Sequence, residues 1–364
     1  MQLGEFLIED RLEKYRLTAN CNLGESGLRN FTLSQLLRDL EMEASELEPL
    51  SLNDSPNRGR EDLREAVAEL YPGITKNEVL ITTGTGEALF ILFHLLLKKQ
   101  DIVRIFLPAF QALYEVPKML GARIQGVDAS YLDIEKLLSE EARLYIINHP
   151  HNPSGQILDG KAEERINRIK NQKNQAFFLF DEHYRFLDYQ KDLGFSGASP
   201  AANCFSTGSI TKCFGVMGLK IGWLIASEEI IEKARSFKDY LSHTVSPISE
   251  YLSLMVLRKR QKLIIPIKKR ITTNLSFFSE RVREIPSIAE FIPPGGGLVA
   301  FPRLQEGILS ENYADELLKN CGVFTLPGAN FEREGFLRIG FGEEEERFQS
   351  GIERWIDWEK KRRI

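Results

Sequence analysis

Runs of β-branched and aromatic residues alternate with helically spaced segments over much of the first 230 residues, and this alternation constrains the fold most. "EVLITTGTGEALFILFHLLLKK" reads as strand, glycine turn and helix, and "DIVRIFLP", "ARIQGVD", "ARLYIINHP", "QAFFLFDEHY", "NCFSTGS" and "KIGWLIAS" read as further strands. Strands of this kind separated by helices predict an α/β fold, with a mostly parallel sheet covered by helices on both faces. Polar residues gather where the strands end, at Thr82–Gly86, Pro108–Phe110, Asn148–Gly155, Asp181–Tyr184 and Ser206–Lys212. Ligands of open α/β sheets bind outside the carboxyl ends of the strands, so five such ends predict one shared pocket.

After residue 230 the pattern changes. "SPISEYLSLMVLRKRQKLIIPIKKRITTNLSFFSERVREI" has long helical spacing, with a kink or break expected at Pro266. Short strands are expected in "PPGGGLVAFPRL", "CGVFTLPGANF" and "GFLRIGFG", followed by a charged terminal helix. The expected division is a large domain over 46–230 and a smaller α+β domain formed by 231–364 with the N-terminal arm, 1–45.

The 364 residues are 43% hydrophobic and 27% charged, with a net charge of -5, so neither nucleic acid nor an anionic membrane is expected as a partner. No basic n-region with an apolar h-region opens the chain, and the longest apolar runs are too short to span a bilayer. Cys21, Cys204, Cys213 and Cys321 are widely spaced, which argues against a metal or disulfide framework and for a reducing, cytoplasmic setting.

Each polar cluster has a plain structural reading and a chemical one. "TTGTGEALF" is a tight strand-to-helix turn, or an anion site in which small residues expose N–H groups at a helix start. It is neither a Walker loop nor a complete dinucleotide fingerprint. "PHNPSG" is a simple turn, or one that offers the Asn152 amide to a ligand. Asp181, ending an apolar strand, caps a turn or pairs with a cation. Lys212 in "GSITKCFGVMGLKIG" is a solvated loop lysine, or a buried one whose amine deprotonates easily and becomes nucleophilic. Arg338, inside an apolar strand, belongs to a protein ion pair or grips a ligand carboxylate.

In this order, the glycine turn, Pro-x-aromatic, Asn-Pro-x-Gly, Asp-x-x-Tyr, Ser-x-x-Lys and the late Arg resemble the fold-type I pyridoxal-phosphate enzymes, specifically the class I/II aminotransferases, from about residue 22 to 342. The resemblance implies a pyridoxal-phosphate-dependent aminotransferase, homodimeric, acting on an amino acid and a keto acid. It implies that Lys212 forms a Schiff base with the cofactor and shuttles a proton, and that Asp181 pairs with the pyridine nitrogen. Asn152 and Tyr184 would bond the phenolic oxygen, and Phe110 would stack on the ring. Thr85, Gly86 and Ser209 would hold the phosphate, Arg338 the substrate carboxylate, and Gly24 would border the substrate.

Two departures stand out. Lys220 occupies a position where the family has a phosphate-clamping Arg and is expected to contact the phosphate without a bidentate fork. Asp54 stands where a Tyr reaches the partner's phosphate, so that contact is expected to be lost or passed to Ser55. "LGESGLRNFTLSQL" and "NDSPNRGREDLREA" are similar to the capreomycidine-synthase branch, which implies cyclase, lyase or decarboxylase chemistry as the alternative. A ligand-binding regulator and a dehydrogenase fit less well. The first is expected to carry a DNA-binding module, and the second leaves Asn152, Asp181 and Lys212 unexplained.

Overall fold

The seven expected strands form one sheet. A computed structural model describes residues 4–169, 176–201 and 203–362. The strands are β1 (Val79–Thr83), β2 (Ile102–Leu107), β3 (Arg123–Asp128), β4 (Leu144–Asn148), β5 (Phe177–Asp181), β6 (Cys204–Ser209) and β7 (Ile221–Ile225). Their spatial order is β1-β7-β6-β5-β4-β2-β3. All neighbours are parallel except β7, which runs antiparallel to both β1 and β6.

Alternation along each strand buries both faces. On one face Leu80, Val103, Ile105, Ile146, Leu179, Phe205 and Leu224 share a core with Ala88, Leu92 and Phe93 of the helix α1 (Gly84–Leu96). On the other, Phe106, Ile147, Phe178 and Phe180 meet Leu137 and Ile166 from the helices at Ile134–Leu138 and Gly160–Ile169. With both faces covered, polar residues of the sheet collect at the strand ends. The turn after β1 is fixed locally, since the Thr83 N–H donates to Glu87 Oε2 at 2.7 Å across the first turn of α1.

The C-terminal part adds short strands, among them Val299–Ala300, Leu326–Pro327 and Leu337–Gly340, and the terminal helix Glu345–Arg362. Its Leu337, Phe341 and Trp355 share one core with Leu63, Ile81 and Trp223. Cys21–Asn22 from the N-terminal arm pairs in parallel with Val323–Phe324. The long helical segment differs from expectation in one respect. It divides into Pro247–Arg258 and Arg260–Arg281 at Lys259, and Pro266 lies inside the second helix. Pro266 is exposed, so the Lys262 carbonyl that loses its N–H partner faces the solvent side.

Among the described residues no helix is long and apolar enough to cross a membrane. No group of three His, Cys, Asp or Glu side chains there could hold a metal ion. The four cysteines are free and buried.

Candidate active site

β5 ends in Asp181, which is 5% exposed and lies deep in the sheet. Thr207 Oγ1 donates to its Oδ1 at 2.9 Å, and Asn148 Nδ2 donates to its Oδ2 at 2.9 Å. Both partners come from adjacent strand ends, Asn148 being opposite Asp181 across the β4–β5 pair. Burial pushes the carboxyl up to about 6 from 3.8, although both hydrogen bonds and Lys212 favour the charged form. No cation of the described protein pairs with it in an ion bridge.

Lys212 follows β6. Its Nζ donates to Ser26 Oγ at 2.7 Å, and burial holds its amine below the ordinary lysine value, helped by the Arg338 charge. The bland alternative of a solvated loop lysine is therefore excluded. Tyr184 is buried in the turn after β5, its phenol raised well above the usual range by burial and influenced by Ser26, Arg338 and Asp181.

Arg338 is 1% exposed on the strand Leu337–Gly340. Its Nη2 donates to the Gly24 carbonyl at 2.6 Å and its Nη1 to Asn152 Oδ1 at 3.2 Å. Its Nε is buried without a partner, and the guanidinium lies 5.2 Å over the Phe331 ring. Among the described residues no carboxylate forms a salt bridge with it. The protein ion pair considered from sequence is absent, and a buried guanidinium without a counter-charge calls for a ligand carboxylate. Gly24 must be glycine here, because a Cβ would sit 2.4 Å from the Phe324 ring.

At the other end, Gly222 of β7 lies opposite Thr82. A Cβ on Gly222 would come within 2.5 Å of Gly84 C and 2.6 Å of Thr85 N, so the glycine seats this turn against the sheet. Open space surrounds the Cβ positions of Gly84 and Gly86, which leaves the start of α1 accessible to an anion. Ser209 is buried and its hydroxyl lies 2.6 Å from that of Thr211. Lys220 is exposed and adopts a left-handed backbone (φ 53°) just before β7, whose first residue pairs with Thr83. Phe110, after β2, packs its ring 5.5 Å from that of Phe6 in the arm. Asp54 is exposed and accepts from Thr244 Oγ1 at 3.2 Å, while Ser55 is buried beside Glu250.

Sequence reading did not single out Ser26, Asn148 or Thr207 as site groups. It also missed His183, whose Nδ1 lies 3.2 Å from Thr85 Oγ1 and whose Nε2 is buried without a partner. Burial and nearby Lys212 lower this imidazole to about 3, so it is neutral at physiological pH. Asn148 and Thr207 end apolar strands as Asp181 does, a signal available in the sequence. Ser26 lies far from Lys212 in the chain and carried no such signal.

The sequence model "Aminotransferase class I and II" matches residues 14–354. The chain belongs to the class I and II aminotransferases. This aminotransferase is 28% identical over 346 residues to capreomycidine synthase of Streptomyces vinaceus, covering 92% of this chain and 88% of that protein. It is 27% identical over 328 residues to an aspartate aminotransferase of Pyrococcus horikoshii, covering 84% and 83%. A PLP-dependent aminotransferase from Streptococcus suis shares the fold, with a TM-score of 0.90, 24% identity and 99% of each chain covered. The enzyme is pyridoxal-phosphate-dependent, and its site fits that cofactor. Among the described residues Asp181 and Arg338 form no salt bridge, Lys212 is half-buried with its amine on Ser26, and the start of α1 is open.

Proposed function

We propose that this aminotransferase moves the amino group of an amino acid to a keto acid, with Lys212 as nucleophile and proton carrier. The observation that carries this reading is the meeting of Asp181, Lys212 and Arg338 in one buried site, none of them neutralised by an ion pair with the protein.

When bound, pyridoxal phosphate supplies an electron sink for the pair left when a bond at the substrate Cα breaks. The Asp181 carboxylate, held in place by Asn148 and Thr207, would pair with the ring nitrogen. Asn152 and Tyr184 would hydrogen-bond the phenolic oxygen, and Phe110 would stack on the ring. The Thr85 hydroxyl, the Gly86 N–H, the Ser209 hydroxyl and the Lys220 ammonium would hold the phosphate. Arg338 would grip the substrate carboxylate beside Gly24, which orients Cα toward Lys212. The Lys212 amine, its basicity lowered by burial, would take the Cα proton and later give it back.

Borohydride is expected to fix the cofactor onto the Lys212 peptide of the parent enzyme and onto no peptide of Lys212→Ala, as read by mass spectrometry. Fixation persisting in that variant rules out the assignment. Keto-acid release with conversion of the cofactor to its amine form supports amino transfer.

Similarity to capreomycidine synthase over 92% of the chain favours a second reading, a cyclase, lyase or decarboxylase on an amino acid. Product formed without the amine form of the cofactor selects it.

We also assign a large domain to 46–230 and a small domain to 231–364 with the arm 1–45, supported by the pairing of Cys21–Asn22 with Val323–Phe324. A cytoplasmic homodimer is the proposed state. The absence of disulfides among the four cysteines and the exposed Leu52 and Tyr240 support it.

A further inference from the structure

Ser26 is 2% exposed, and its hydroxyl accepts from Lys212 Nζ at 2.7 Å. Tyr184 is buried nearby, and the influence of Ser26 offsets part of the effect of burial on its phenol. The turn that carries Ser26 is fastened on both sides. The Gly24 carbonyl accepts from Arg338 at 2.6 Å, and the Leu28 N–H donates to the Lys212 carbonyl at 3.2 Å. Close packing adds to this, since a Cβ on Gly27 would lie 3.2 Å from Met217 Sδ and 3.7 Å from Lys212 Cα. Backbone contacts therefore place the Ser26 hydroxyl independently of its bond to the lysine.

The contact shows Lys212 with a free amine. Under the function proposed above, on which this inference rests, the amine is free when it has to accept a proton from Cα. A lysine amine sits on a flexible four-carbon stem, and a fixed acceptor confines it to one geometry.

We propose that Ser26 is a positioning residue, whose hydroxyl holds the free Lys212 amine in place for proton transfer at the substrate Cα. The Cα–H bond breaks, its proton bonds to the Nζ lone pair, and the electron pair left at Cα drains into the bound cofactor ring. The resulting ammonium donates to Ser26 Oγ until the proton is passed back, and Ser26 itself neither gains nor loses a proton. A charge-assisted bond of this kind is stronger than a neutral one, so it favours the amine after it has accepted the proton.

The test uses holoenzyme of the parent, Ser26→Ala and Ser26→Thr. Cofactor affinity, from titration of apoenzyme with pyridoxal phosphate, and borohydride fixation on Lys212 are expected to stay within about twofold in all three, because the role concerns the free amine. Exchange of Cα protons is then followed by proton NMR in deuterium oxide with the twenty common L-amino acids as probes. For those the parent exchanges, Ser26→Ala is expected to exchange about tenfold more slowly, and Ser26→Thr, which keeps the hydroxyl, to recover most of the rate. Parental exchange in Ser26→Ala overturns the proposal, as does loss of cofactor fixation in that variant, which marks a structural role. Failure of Ser26→Thr to recover exchange while it still binds cofactor also overturns it. Absence of exchange in the parent itself, with cofactor fixed on Lys212, overturns the functional reading and this proposal with it.

Discussion

Asp181 shows how one residue links fold and chemistry. Without cofactor its carboxyl is raised to about 6 from 3.8 by burial. The folded chain then holds this proton more tightly than the unfolded chain. Its effect on stability is nil below 3.8 and becomes a growing penalty as pH rises through the window up to about 6. The full penalty is on the order of 3 kcal/mol. Apoenzyme Asp181→Asn is therefore expected to lose less stability than the parent between pH 4 and pH 7, as read by urea unfolding at each pH. The sequence pointed to Asp181 and Arg338 because each is a polar residue in or ending an apolar run, and to Lys212 through the resemblance of its Ser-x-x-Lys stretch. It did not show Ser26 or His183, because a serine in a turn and a histidine beside a tyrosine are ordinary until Lys212 Nζ and Thr85 Oγ1 are seen beside them.

At the scale of elements, the junction of β7 with the turn into α1 depends on Gly222. Gly222→Ala would drive a Cβ into Gly84 and Thr85. The turn has to shift, and affinity for pyridoxal phosphate is expected to fall about tenfold, measured by fluorescence titration of the apoenzyme. The helix Arg260–Arg281 makes a contrasting case. Its Pro266 costs one backbone hydrogen bond on an exposed face, so Pro266→Ala is expected to raise stability by about 1–3 kcal/mol in thermal melts. The strands and their order along the chain were legible because apolar runs ended in polar clusters. The break at Lys259 was not, because proline is a strong breaker in sequence terms, whereas the solvent-facing Lys262 carbonyl makes it tolerable here.

At the scale of the whole molecule, the proposed homodimer predicts that Leu52→Asp shifts sedimentation from a two-chain toward a one-chain species, as the exposed Leu52 side chain is a proposed interface group. A polar replacement leaves the seven-stranded core untouched, so thermal unfolding of the single chain should change little. The sequence by itself determined the α/β class and the collection of polar residues at the strand ends, because local patterning and spacing are properties of the chain, while for Lys212 that patterning left a loop lysine and a nucleophile both open. Only the tertiary structure decided that Arg338 meets no carboxylate in a salt bridge among the described residues, that Lys220 stands exposed in a left-handed turn, and that Ser26 meets the free amine of Lys212. These are contacts between residues remote in the chain, and burial and approach distance exist only once the chain has folded.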